Sequence, residues 1–210
     1  MMSTLLFIEA NDTVNQPQSV SSMLNETFLE SYRKNHPEDR IVSLNLFEER
    51  LPFFDLKLAA SASKMFKGVP LTPEEELGAK QVHQYLDGFL EADKVVFSFP
   101  MWNLTVPAPL HNYMDYLAQA GRTFRYTPEG SVGLVEGKKV MLIHSRGGNY
   151  SEGEKKQTDH ALRYMIDLLH FFGVTDVETI VLEGHQQNPE EADVLIKTAV
   201  SACETAGKVF

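Results

Sequence analysis

The 210-residue chain has one cysteine, Cys203, and one tryptophan, Trp102. A lone cysteine excludes an intrachain disulfide and a cysteine-rich metal site. Its setting among Leu195, Ile196 and Ala199 at helical spacing marks it as core. No lysine or arginine precedes Arg33, and the net charge is −10. That balance argues against nucleic acid or an anionic membrane as a partner held by bulk charge. No apolar run reaches the length of a membrane span. Met1 to Ala10 lacks the basic region and long apolar stretch of a signal peptide, so the expected location is cytoplasmic. Several motifs are also missing. There is no Walker phosphate loop with its lysine, no glycine fingerprint after the first strand, and no nucleophile elbow. The histidines show no metal-ligand spacing, and no metal is expected.

What is present is a steady alternation of strand and helix. Hydrophobic residues make up 43% and charged residues 23% of the chain, enough apolar material for a full core. Residues 1–210 are expected to form one domain. Apolar runs mark strands at Thr4–Glu9, Ile41–Leu46, Lys94–Phe99, Lys139–Ser145 and Val177–Leu182. Helical patterns run from Ser19 to about Lys34, from Thr72 to about Glu91, from Pro107, from about Lys155 to Phe172, and from about Pro189. Thr72-Pro73-Glu74-Glu75 carries a cap, a proline and first-turn acids, which start a helix by local rules. Asn11–Gln18 reads as a polar loop. Residues 50–70 have no clear periodicity, and Thr123–Glu136 reads as a hairpin insertion around Pro128-Glu129-Gly130. Five strands separated by helices imply an α/β fold with a doubly wound parallel sheet, order 2-1-3-4-5. That order gathers the loops after strands one, three and four at one edge, where such sheets bind ligands.

These three loops carry the unusual chemistry. With no cation before Arg33, a phosphate at the first loop would depend on a helix start and on the hydroxyls of Ser19, Ser21 and Ser22. The same serines serve equally well as helix caps. Met101-Trp102-Asn103-Leu104 follows a buried strand. Two surfaces and an amide suit a flat, partly polar ring, while Trp and Met at a strand end also suit a core. A buried Asn103 would need hydrogen-bond partners. In Ser145-Arg146-Gly147-Gly148-Asn149-Tyr150, two glycines allow close approach of backbone to a ligand. An ordinary turn, with Arg146 in an ion pair and Tyr150 as a cover, fits the same residues. His144 reads as structural.

Phe-Pro-Met-Trp-Asn-Leu at 99–104, the Ala-Gly-Arg-Thr-Phe-Arg-Tyr-Thr-Pro-Glu-Gly block at 120–130, Ser-Arg-Gly-Gly at 145–148 and Phe-Phe-Gly-Val-Thr-Asp at 171–176 together resemble the FMN-dependent NADH:quinone oxidoreductases, also called FMN-dependent NADH-azoreductases, of the flavodoxin-like quinone reductase superfamily. The resemblance covers nearly the whole chain. It implies a flavodoxin-like fold and a homodimer with one non-covalent FMN per subunit. It also implies NADH or NADPH as electron donor, and quinones or aromatic azo compounds as acceptors in a ping-pong hydride transfer. Carried over residue by residue, it places Met101, Trp102, Asn103 and Leu104 along the flavin ring. Ser145, Arg146, Gly147, Gly148 and Tyr150 fall on the opposite loop, and Ser19, Val20 and Ser21 on the phosphate. Tyr126 and Phe171 match the substrate-side wall, and Tyr126 is a candidate proton donor. Relatives often carry serine after strand one, where Ala10-Asn11 stand here, so more weight falls on Ser19–Ser22 or Asn11. Glu9 is unfavourable there unless it points away. A flavodoxin-type electron carrier without its own substrate pocket is the alternative.

Overall fold

The computed structural model describes residues 2–12, 15 and 19–210. The Asn11–Gln18 loop therefore lies partly outside the described residues. Five strands, β1 (Thr4–Glu9), β2 (Arg40–Asn45), β3 (Lys94–Pro100), β6 (Lys139–Arg146) and β7 (Asp176–Glu183), form one sheet in the order β2-β1-β3-β6-β7. Every pairing in it is parallel. This is the order 2-1-3-4-5 once the separate hairpin, β4 (Phe124–Thr127) with β5 (Gly130–Gly133), is set aside.

Alternation along the strands splits the core into two layers. Leu5 and Phe7 of β1 join Val96, Met141 and Ile143 on one face. Helices α1 (Val20–Asn35) and α6 (Ala192–Val209) cover it through Leu24, Phe28, Ala199 and Cys203. Leu6 and Ile8 face the other way with Phe97, Phe99 and Leu142. There α3 (Pro73–Glu91), α4 (Ala108–Leu117) and α5 (Ala161–Phe172) supply Phe89, Tyr113, Met165 and Phe172. Each such buried aliphatic or aromatic side chain stabilises the fold by about 1.5–3 kcal/mol. Cys203 is fully buried and free, and burial pushes its thiol up to about 12, so it is inert core.

Local signals set the ends. Thr72 accepts from the Glu75 amide while the Glu75 carboxylate accepts from the Thr72 amide, a complete capping box for α3. The stretch 50–70 holds a helix that periodicity did not indicate, α2 (Leu56–Phe66). Asp55 caps it by accepting from the Leu58 amide at 2.8 Å. Only Leu58, Ser61 and Ala62 are buried along it, so its apolar stripe is too thin to read. The helix expected from about Lys155 begins later. Glu154–Thr158 is a separate 3₁₀ turn, and α5 starts at Ala161. Asp159 sets that start, its Oδ1 accepting from the amides of Ala161 and Leu162. The last helix opens at Ala192, three residues beyond Pro189. Among the described residues no helix is long and apolar enough to cross a membrane.

Candidate functional site

The carboxyl ends of β1, β3, β6 and β7 meet at one rim, and a cleft of about 480 Å³ opens there. That volume falls in the range of small-molecule sites. The start of α1 forms one wall through Ser19, Val20 and Ser21. Ser19 stands in extended backbone at the N-cap, and its Oγ accepts from the Ser22 amide at 3.1 Å. The remaining first-turn amides have no partner within the helix. No acid occupies that turn, so the positive end of the helix dipole is uncancelled. Ser21 Oγ hydrogen-bonds Ser145 Oγ at 2.6 Å and ties α1 to the end of β6.

The second wall is the turn after β3. Trp102 and Thr105 exchange both main-chain hydrogen bonds, at 2.9 and 3.0 Å. Closing so tight a loop forces both central residues into left-handed backbone, Asn103 at φ 49° and Leu104 at φ 69°. Asparagine tolerates that region, but a leucine there is strained by about 1–3 kcal/mol. The Leu104 carbonyl accepts from the His160 amide at 3.0 Å, which anchors the tip to the start of α5. Trp102 is 43% exposed and meets the Phe47 ring edge-on at 5.3 Å. It is therefore not core. Asn103 is exposed, so its amide needs no protein partner, in line with an asparagine arguing against a core setting for this loop. The turn conformation is what accounts for an asparagine at this position.

The third wall is Ser145-Arg146-Gly147. The Met101 amide donates to the Ser145 carbonyl at 2.8 Å, so the second and third walls share a hinge of main chain. The Arg146 guanidinium is buried and committed elsewhere. It pairs with Asp159 and with Glu183 and donates to Ser151 Oγ at 2.9 Å. Glu183 in turn accepts from the amides of Tyr150 and Ser151. Burial would raise the Glu183 carboxyl, but these hydrogen bonds and Arg146 hold it below its usual range. Arg146 therefore presents only its main chain to a ligand.

Eight expected residues border this cleft together: Ser19, Val20, Ser21, Met101, Trp102, Ser145, Arg146 and Gly147. Asn103, Leu104, Gly148, Tyr150, Tyr126 and Phe171 do not border it. Tyr150 faces a neighbouring hollow of about 580 Å³ on the far side of the Arg146 ion pairs, with Ser151, Leu162 and Ile166. That larger hollow touches neither the start of α1 nor the Trp102 turn. Tyr126 and Phe171 lie together by the hairpin, each packed on Phe124 at ring distances of 5.4 and 4.5 Å. Glu9 is drawn beneath α1, accepting from Asn25 Nδ2 at 2.6 Å, and burial raises its carboxyl pKa. Ser98 Oγ bridges Asn25 and Asn11, and Asn11 Oδ1 is buried without a partner. His144 is fully buried, and its Nδ1 donates to the Phe99 carbonyl at 3.0 Å. Burial lowers its pKa to about 4, as a structural histidine requires.

Two residues of the cleft were not anticipated, His185 and Gln186 from the loop after β7. The topological rule that gathers all carboxyl-end loops at one rim was the available signal.

FMN would fit this donor set. A phosphate would meet unpaired amides and hydroxyls at α1, where no cation is needed. A flat ring would meet an exposed tryptophan and a methionine on one side and a glycine loop on the other. Fold and cleft thus define a flavodoxin-like α/β protein with a nucleotide-sized site at the carboxyl rim. The profile of the family described as "Flavodoxin-like fold" matches residues 3–206, and the chain belongs to that family. It is 47% identical over 210 residues to FMN-dependent NADH:quinone oxidoreductase 4 of Bacillus cereus, covering 99% of this chain and 98% of the relative. It is 44% identical over 209 residues to FMN-dependent NADH:quinone oxidoreductase 1 of Bacillus licheniformis, covering both chains completely. The crystal structure of an azoreductase from Bacillus anthracis str. Sterne superposes with a TM-score of 0.94 at 45% identity over both full chains. An FMN-dependent NADH-azoreductase of Bacillus anthracis str. Ames Ancestor, solved in complex with FMN, superposes at 0.89 with 28% identity over 98% of each chain.

Proposed function

We propose that this chain is an FMN-dependent NADH:quinone oxidoreductase that also cleaves aromatic azo compounds reductively. The observation that carries the reading is the cleft itself: a helix start without cations, an exposed tryptophan turn and a glycine loop meet in one site of flavin size. Relatives named for this activity at 44–47% identity across the full chain support it. Residues 1–210 act as one flavin-binding domain. Bound FMN would supply two-electron chemistry, accepting hydride from NADH and passing reducing equivalents to the acceptor.

The protein's part is binding, orientation and electrostatics. Ser19, Val20 and Ser21 hold the phosphate end. Met101 and Trp102 pack on the ring. Main-chain amides of the Met101-Trp102 segment and of Gly147 would lie toward its polar edge, where preorganised donors can each contribute about 3 kcal/mol to stabilising developing negative charge. The left-handed turn and the Arg146 ion pairs keep those amides in place before any ligand arrives. Donor and acceptor occupy the same open side in turn. Tyr126, 75% exposed on the hairpin, and Phe171 behind it border that side from a second copy in a homodimer. The protein works in the cytoplasm, in keeping with one free, buried cysteine.

A flavodoxin-type carrier fits less well, because in a homodimer the β4–β5 hairpin of the second copy would add a wall where a carrier needs an open edge. The test is direct. Adding FMN to cofactor-free protein should quench Trp102 fluorescence and raise the thermal midpoint. NADH should then be oxidised continuously with a benzoquinone or an azo dye as acceptor. Unchanged fluorescence and midpoint would end the flavin reading, and one-electron turnover without direct NADH oxidation would favour the carrier.

A further inference from the structure

The loop after β7 presses on the cleft more closely than packing alone requires. Gly184, at φ 78°, turns the chain sharply after the strand, and its amide donates to the Gly148 carbonyl at 3.2 Å. The amides of Gln186 and Gln187 both donate to the Gly147 carbonyl at 3.1 Å. Gln187 Oε1 accepts from the Asn149 amide at 3.2 Å. A methyl group on Gly147 would come within 2.3 Å of Gln186 Oε1, so the end of that side chain would have to swing aside. The main-chain amides of Gln186 and Gln187 and the Gln187 side-chain oxygen thus hold the glycine loop.

His185, between them and Gly184, is different. It borders the cleft with Ser19, Ser21 and Ser145, and its Nδ1 is buried without a hydrogen-bond partner. Buried polar atoms in folded proteins almost always have one. We propose that His185 is a cofactor-contacting residue, its Nδ1 accepting a hydrogen bond from a ribityl hydroxyl of the flavin's polar tail. The proposal rests on the flavin reading above and adds a fourth loop to the three that the sequence motifs mark. Burial holds the imidazole below its usual range, with hydrogen bonding to the Arg146 main chain acting in the opposite sense. The ring is therefore neutral near pH 7, and with its other nitrogen donating to the Arg146 carbonyl, Nδ1 is left as an acceptor. A neutral ligand of this kind complements an anchor that, among the described residues, otherwise has serines and helix amides.

The test titrates cofactor-free protein with three probes and follows flavin fluorescence: FMN, riboflavin, which lacks the phosphate, and lumiflavin, which lacks the whole tail. His185→Leu should weaken FMN about tenfold, the loss of one hydrogen bond plus an unpaired polar group, and leave lumiflavin unchanged. His185→Asn, which keeps a donor and an acceptor, should recover part of the loss. Riboflavin, which keeps the ribityl hydroxyls, should weaken alongside FMN, and riboflavin unchanged would overturn the proposal. FMN affinity within twofold of the parent in both variants would overturn the proposal, as would lumiflavin weakened as much as FMN. If His185→Leu fails to fold by its thermal midpoint, His185→Asn decides alone. Its FMN affinity should then fall about threefold, with lumiflavin unchanged. A parent protein that binds no FMN would sink the flavin reading itself, and this inference with it.

Discussion

The two rims of the one sheet are built to opposite plans. At the amino rim most polar groups satisfy one another, His36 Nε2 being the exception. Asp39 accepts from the Ser3 amide at 2.8 Å, from Tyr32 Oη at 2.6 Å and from Lys94 Nζ at 3.2 Å. Asp93 accepts from the Thr4 amide, and Lys138 Nζ donates to the carbonyls of Leu90 and Ala92 at the end of α3. At the carboxyl rim, Asn11 Oδ1, His144 Nε2 and His185 Nδ1 are buried without partners, and two non-glycine residues are held left-handed. One rim closes strands and helices together. The other keeps hydrogen-bonding capacity and strain in reserve, the pattern of a binding edge. Arg146 is the exception, a stabilising ion pair set inside the binding rim.

The sharpest way to test that exception is Arg146→Met. It removes the one cation between Asp159 and Glu183 and should destabilise by about 3 kcal/mol, lowering the thermal midpoint by about 10 °C. A loss under about 1 kcal/mol would mean that the ion pair adds little and that the rims differ completely. Next is Asp39→Asn at the opposite rim. Burial alone would raise the Asp39 carboxyl, but hydrogen bonds from Tyr32, Ser3 and Lys94 bring it down to about 2 from an ordinary 3.8. A carboxyl depressed in the folded state contributes its full stability above the unfolded value and loses it as pH falls from there toward 2. With solvent screening its share is about 1–2 kcal/mol. Urea unfolding at pH 5 and at pH 2.5 should show that loss in the parent and a smaller one in the variant, with FMN affinity unchanged at neutral pH. Altered FMN affinity would show that the rims are coupled. The smallest effect is expected for Ser19→Ala. Losing the N-cap should cost about 1 kcal/mol of stability and also weaken FMN, because the same hydroxyl serves both roles. Stability lost with FMN affinity intact would reduce Ser19 to a cap.

The parts of the fold that were legible in the sequence are those buried on both faces. β1, β3 and β6 read as apolar runs because helices cover them above and below, and their observed ends fall within a residue of the expected ones. The capping box of α3 was equally plain. α2 was not, since Ala59, Ala60, Ser61, Ala62 and Ser63 blur the difference between a buried and an exposed face. The site divides in the same way. Ser19–Ser21, Met101-Trp102 and Ser145–Gly147 announce themselves by unusual composition. His185 sits in a glutamine-rich loop with no such mark, and only the convergence of strands brings it to the cleft. The fate of Arg146 depends on Asp159 and Glu183, partners 13 and 37 residues away that no local pattern links to it.

The hairpin meets α5 at a pair of glycines. A methyl group on Gly133 would lie 2.3 Å from the Gly173 nitrogen, and Gly173, at φ 100°, ends the helix. The Val135 amide donates to the Phe172 carbonyl at 2.9 Å beside them. Neither position can acquire a side chain without prising the two elements apart, so the seat of the hairpin is frozen while its outer tip, Tyr126 to Val132, remains free to mutate. Under the proposed reading, in which that tip walls the acceptor side of a second copy, redecorating it would change which aromatic compounds fit and leave the frame of the site intact.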